Sequence, residues 1–248
     1  MSRRQQFLCG SLQTAIIAFC HLCTFALSSN STNFISVPDI VLTTLNAKYI
    51  HCAFGLRYLL ANLGELKSRT CILEFEINHR PTDIAEILLA QNPKIIGLGV
   101  YIWNASPTTE LVATLKRLRP DVTLILGGPE VSYETETQPI AQIADYVITG
   151  EADLKFAQLC EQLLEEQKPA EKIISAPVPE FSQLQLPYDL YTDDDVAHSI
   201  IYVEASRGCP FTCEFCLSSL DIPVRQAPLP AFWWRRFPPS AGARQLFS

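Results

Sequence analysis

Between Asp39 and Gln167, short apolar runs alternate with amphipathic stretches, and this alternation limits the possible folds more than any other feature of the chain. The runs DIVLTTL (39–45), TCILEFE (70–76), KIIGLGV (94–100), VTLILGG (122–128) and YVITG (146–150) read as strands. Between them lie helical stretches at 53–66, 81–91, 106–118, 138–144 and 151–167. In the first, Phe54, Leu56, Leu59, Leu60 and Leu63 recur at helical spacing. Pro81 suits the first position of the second helix. Ser106 is expected to cap the third, with Pro107 at its first position. Strands that are apolar on both faces and alternate with helices predict a parallel sheet covered on two sides. Five such units predict an α/β, flavodoxin-like (Rossmann-like) doubly wound sheet.

Ligands of such sheets bind beyond the carboxyl ends of the strands, where the strand order reverses. The informative residues therefore follow the strands: Asn46 to His51 (with Asn46 and Tyr49 as candidates), Gly99 to Asn104, Gly127 to Glu130, and Gly150 with Glu151. No GxxxxGK[ST] loop is present, and Gly97 and Gly99 lack the third glycine of a dinucleotide fingerprint. The rim is instead built from glycines and flat polar or aromatic residues, suited to close backbone approach by a broad ligand. Gly127 and Gly128 are equally compatible with a simple chain turn.

The spacing of these residues resembles the vitamin B12-binding domain of cobalamin-dependent enzymes. Gly55, Gly99 with Tyr101, and Gly127 with Gly128 fall at separations that match that family. The resemblance implies that the patch after the third strand and the Gly-Gly turn line a slot for the nucleotide tail of cobalamin, with the corrin across the strand ends. In part of that family an Asp-x-His-x-x-Gly motif supplies a histidine to cobalt. Here the chain reads NAKYIHCAFG, which puts His51 four residues before Gly55 with no aspartate two before it. His51 is therefore not expected to ligate cobalt.

A proline-containing stretch, residues 168–197, reads as a connector, with Asp193, Asp194 and Asp195 as a solvated helix start. A new strand is expected over Ile200 to Glu204. Directly after it, Cys209, Cys213 and Cys216 fall within eight positions. A structural zinc site wants four tetrahedral ligands and would have to borrow a distant one. A [4Fe–4S] cluster held by three thiolates keeps one iron open for a substrate or cosubstrate. The motif Cys209-Pro-Phe-Thr-Cys213-Glu-Phe215-Cys216 resembles the Cx3CxΦC hallmark of the radical S-adenosylmethionine superfamily. That resemblance implies three cluster ligands, S-adenosylmethionine on the open iron, and Phe215 near the adenine or shielding the cluster. It also implies a small-molecule substrate, an electron donor, and the first strand and cluster loop of a βα barrel over 198–221. Methyl transfer is the usual outcome in the branch that also carries a B12 domain. The alternative is a non-catalytic ligand-binding module with a vestigial cysteine loop.

Composition sets outer bounds. With 48% hydrophobic and 18% charged residues the chain can bury a sizeable core. A net charge of −7 argues against a nucleic-acid surface. No long uncharged apolar run follows residue 38, so no membrane span is expected in the main body. Nine cysteines without framework spacing point to a reducing, cytoplasmic setting. Residues 1–38 nevertheless have the anatomy of a signal peptide, with Arg3 and Arg4 before an apolar run, and are read as an extension outside the fold. Residues 222–248 hold five prolines, four arginines and no acid. This break in composition is read as an aberrant tail that leaves the barrel truncated, with a basic aromatic binding peptide as the other reading.

Overall fold

The computed structural model describes residues 37–47, 51–211, 213–216 and 224–227. The leader-like stretch, Tyr49 and most of the proline-rich tail lie outside the described residues. Five strands form where the apolar runs predict them: β1 (Ile40–Asn46), β2 (Thr70–Glu76), β3 (Ile95–Gly99), β4 (Thr123–Gly127) and β5 (Tyr146–Thr149). They alternate with α1 (Phe54–Ala61), α2 (Pro81–Ala90), α3 (Ala105–Leu118), α4 (Pro139–Ile143) and α5 (Asp153–Leu164). A sixth strand, β6 (Ile173–Ser175), extends the sheet, whose order is β2-β1-β3-β4-β5-β6 with every pair parallel. This is the flavodoxin-like order, with the reversal between β1 and β3.

The two faces follow from the strand period of two. Ile40, Leu42, Ile72, Ile125 and Ile148 point into a cluster with Leu56 and Leu63 and with Phe156, Leu159 and Cys160 of α5. On this side α1 packs against α5. The alternate strand positions face α2, α3 and α4, which pack in sequence, and there Ile84, Leu88, Leu111, Val112 and Leu115 are buried. Gly97 allows the close fit of α5 to the sheet. A Cβ at this position would come within 2.9 Å of both Leu42 and Phe156 side chains.

Three local expectations are corrected. Ser106 does not cap α3. The helix starts at Ala105 after Asn104, and Pro107 is its third residue. Asn104 instead knits the strand ends together. Its Nδ2 donates to Thr44 Oγ1 (3.2 Å), to Leu45 O (3.0 Å) and to Gly99 O (3.2 Å), and its Oδ1 accepts from Tyr101 N (2.8 Å). The connector is more than a linker between domains, because its β6 pairs with β5 and joins the sheet.

The strand expected over 200–204 is reduced to one parallel bridge between His51 and Ile200. That segment crosses the strand ends rather than following a sheet edge, so its backbone groups find other partners. The Glu204 N–H, for instance, donates to the Tyr188 hydroxyl (3.1 Å). The acidic triplet does open a short helix, α6 (Asp193–His198), which carries a reciprocal Thr192–Asp195 capping box. Beyond the bridge, β7 (Ser206–Arg207) pairs antiparallel with β8 (Arg225–Gln226). Ala227 is buried against Phe181 and Leu184. Among the described residues no helix is long and apolar enough to cross a membrane.

Candidate functional site

A cavity of about 920 Å³ opens at the carboxyl ends of β1, β3, β4 and β5 and runs down between the sheet and the α1/α5 side. This is large for a small-molecule site, for which about 300–1,000 Å³ is usual. Asn46, Gly55, Gly99, Tyr101, Gly127 and Gly128, all predicted from the sequence, lie in its wall. Tyr49, also predicted, falls outside the described residues. The deeper wall is apolar, with Leu56, Ile125, Ile148 and Phe156. The polar groups gather at the mouth.

On the β1 side, Asn46 shapes the loop more than it offers itself to a ligand. Its Nδ2 donates to the His51 carbonyl (2.9 Å) and to Glu74 Oε2 (2.8 Å). Glu74 also accepts from Ala53 N (2.6 Å) and pairs with Arg57 (2.5 Å), which reaches on to Asp195 of α6 (3.2 Å). Burial pushes the Asp195 carboxyl up, but the Thr192 backbone N–H and Arg57 outweigh it, and the group is held below the usual carboxylate range. Cys52 donates its thiol to Asp195 (3.3 Å), and burial pushes this thiol up to about 11, so it stays protonated at neutral pH. It is not a nucleophile or a metal ligand in this state. The His51 ring is 2.6 Å from the Tyr202 hydroxyl through Nδ1 and stacks on the Tyr202 ring, tying the β1 loop to the segment across the mouth.

On the β3–β4 side, Tyr101 stacks on Trp103 with ring centroids 4.6 Å apart and planes 6° from parallel. Val100 N–H donates to Gly127 O (2.8 Å), which pins the β3 loop to the end of β4. Gly128 has φ +113°, and a Cβ there would lie 2.4 Å from Val100 O. Only glycine satisfies both conditions.

The remaining side is closed by residues that sequence reasoning missed. Arg207 is nearly buried and contacts three carboxylates: Glu151 (2.8 Å), Asp153 (2.8 Å) and Glu204 (2.9 Å). Its guanidinium lies over the Tyr58 ring at 4.6 Å and the Phe181 ring at 5.6 Å. Burial alone would lower its pKa, but Asp153 and Glu151 reverse the effect and hold the charge firmly. Arg225 joins the network through Glu151 and the Pro179 carbonyl. Glu151 and Asp153 come from the β5–α5 junction, and Glu204 and Arg207 from the segment that leads into the cysteines. No sequence motif announced these pairings, although Glu151 lay in the strand-end window.

Cys209 and Cys216 are half-buried, Cys213 is exposed, and the Cys216 N–H donates to Cys213 O (3.2 Å). Among the described residues no three metal-ligating side chains converge. The three cysteines are therefore neighbours in one loop without forming a gathered donor set. Phe215 is 94% exposed and does not line the cavity.

Several known proteins are similar to part of this chain. An uncharacterized methyltransferase of Pyrococcus horikoshii is 28% identical over 194 residues, covering 69% of this chain. The chain matches 41% of that relative's length. Among solved structures, a cobalamin-binding protein of Desulfitobacterium hafniense aligns with a TM-score of 0.38 and 23% identity, covering 50% of this chain and 58% of its own. A branched-chain amino acid, threonine and alanine-binding protein of Brucella ovis aligns at 0.27 and 15%, covering 58% and 49%. The family model of the B12 binding domain matches residues 40–160. That match begins on β1 and ends in α5, so it takes in the five strands and the helices that wall the cavity.

Proposed function

We propose that this chain is a cobalamin-dependent radical S-adenosylmethionine protein that holds cobalamin in the strand-end cavity and takes part in methyl transfer. The observation that carries the reading is the position of the cavity. It opens at the β1/β3 reversal of the stretch that the B12 binding domain model matches, and Ser206, Arg207 and Gly208, the residues just before Cys209, form part of its wall. The size and lining of the cavity suit cobalamin: apolar depth for the ligand's flat parts, and polar groups at the mouth for its fringe. Bound cobalamin supplies a cobalt centre able to carry a methyl group. The chain's own residues hold and enclose it. Tyr101 and Trp103 present a flat aromatic surface, the β3–β4 loops form the floor, and the Arg207 network keeps the segment 204–208 against the mouth.

The cysteine loop suits a [4Fe–4S] cluster by donor type and spacing, with S-adenosylmethionine as its cosubstrate and an electron donor as partner. The thiols do not converge as placed, so the fit is incomplete and no step is derived through the cluster. The same observation favours the second reading, a non-catalytic cobalamin-binding module. Anaerobic reconstitution of the full chain with iron and sulfide separates the two. The first reading expects about four irons per chain, charge-transfer absorption, and loss of both in Cys213→Ala. A folded chain that takes up no iron leaves the binding module.

A further inference from the structure

Missing side chains shape the depth of the cavity. Gly97, Gly99, Gly127 and Gly150 all lie in its wall. The strand period of two puts them on one face. A Cβ on Gly97 would meet Phe156 of α5, and Gly99 lies two residues on. Gly127 and Gly150 lie two beyond Ile125 and Ile148, which pack toward α1 and α5. Opposite stand Leu56 and Leu59 of α1, with Ala152 and Phe156 at α5. The gap between is a slot about one layer of side chains deep. A flat ring can enter it edge-on, whereas a macrocycle must stay at the mouth.

Among the described residues, the polar groups that border this slot are already engaged or turned toward the mouth. Gly97 pairs in the ladder with Leu42 and Ile125. Gly99 O accepts from Thr44 Oγ1 (2.8 Å) and Asn104 Nδ2 (3.2 Å), and Gly127 O accepts from Val100 N (2.8 Å). Gly150 N donates to Ser132 Oγ (3.2 Å). Tyr58 directs its hydroxyl toward Glu204 and Tyr188, and Tyr101 reaches across to Gly55 at the mouth. A ring in the slot therefore gains apolar contact and little hydrogen bonding.

We propose that the slot holds the base of the ligand's nucleotide tail and selects corrinoids whose base has an apolar edge. This inference rests on the cobalamin reading above. The dimethylbenzimidazole of cobalamin ends in methyl groups, and burying them in such a slot is favourable. Adenine, the base of pseudocobalamin, carries an amino group and ring nitrogens along the same edge. These would lose their hydration without replacement.

The test is equilibrium binding of cobalamin, pseudocobalamin and tail-less cobinamide to the full chain, each in its hydroxo form and followed by absorbance. Pseudocobalamin should bind about tenfold to a hundredfold more weakly than cobalamin, and cobinamide should also bind more weakly. Leu59→Asn places an amide on the half-buried helix wall of the slot and should narrow the gap between the two bases at least about threefold. Equal binding of cobalamin and pseudocobalamin by the parent would overturn the inference while leaving the cobalamin reading intact. Cobinamide bound as tightly as cobalamin would show that the slot does not hold the tail, and would overturn it as well. So would an unchanged gap in a folded Leu59→Asn chain, and the parent comparison stands even if that variant does not fold. A folded parent that binds none of the three would instead remove the reading on which the inference rests.

Discussion

Arg207→Ala is expected to release the segment that crosses the cavity mouth. The substitution leaves Glu151, Asp153 and Glu204 close together, with only Arg225 to offset Glu151. Removing one partner from such a largely buried network costs about 3 kcal/mol, because the remaining charges keep their desolvation without compensation. It also removes the guanidinium from the Tyr58 and Phe181 rings. Few regular backbone hydrogen bonds hold residues 200–208: one bridge at Ile200 and the short β7–β8 pair. The loss should therefore appear as local opening rather than global unfolding. Amide hydrogen exchange over residues 202–208 should speed up roughly a hundredfold, with β1, β3 and β4 unaffected. Arg207→Lys should recover only part of the protection, since an ammonium cannot serve three carboxylates and stack in the same way. Unchanged exchange in Arg207→Ala would mean that the segment is held by something else.

Gly128→Ala should have the largest effect on global stability of any single methyl addition in the site. The new Cβ would sit 2.4 Å from Val100 O and 3.0 Å from Val100 N, both backbone atoms. Val100 cannot move away freely, because its N–H is bonded to Gly127 O (2.8 Å) in the same turn. A non-glycine residue at φ +113° adds strain of about 1–3 kcal/mol before the clash is considered. Together these should cost about 3 kcal/mol and lower the melting temperature by roughly 6–12 °C. Gly127→Ala is the matched control. Its Cβ would meet only Ile148 O at 3.8 Å, an ordinary contact, and its melting temperature should stay within about 2 °C of the parent. Equal melting of the two alanine variants would show that the loop after β4 relaxes more easily than its geometry implies.

The central sheet was legible because its information is local. Each of the five strands is a short apolar run between helical stretches, and Leu56 or Phe156 repeats with its neighbours at helical spacing whether or not the fold is known. The glycines of the site were legible for a related reason: a glycine after a strand marks a backbone constraint that acts within one turn. Pairings across long separations were not. Arg207 meets Asp153 from 54 residues away, and Tyr202 meets His51 from 151 residues away. Nothing in either short stretch records the partner. The run at 200–204 has strand-like composition, but no sheet edge is available to it, so tertiary context overrode propensity. β6 failed in the opposite way, being three residues long within a proline-containing connector. Asn104 was passed over for Ser106 because capping rules describe helix ends. Its real work is to join the ends of β1 and β3.

The claim on which the account depends is that the strand-end cavity holds cobalamin. Titration of the full chain with hydroxocobalamin, followed by absorbance, tests it when paired with Gly127→Leu. Gly127 lines the cavity and tolerates a Cβ, so a leucine there adds bulk to the wall without disturbing the backbone. The account predicts one saturable equivalent per parent chain and at least about tenfold weaker binding by the variant at an unchanged melting temperature. A folded parent with no saturable binding, or a variant that binds as tightly as the parent, would contradict it.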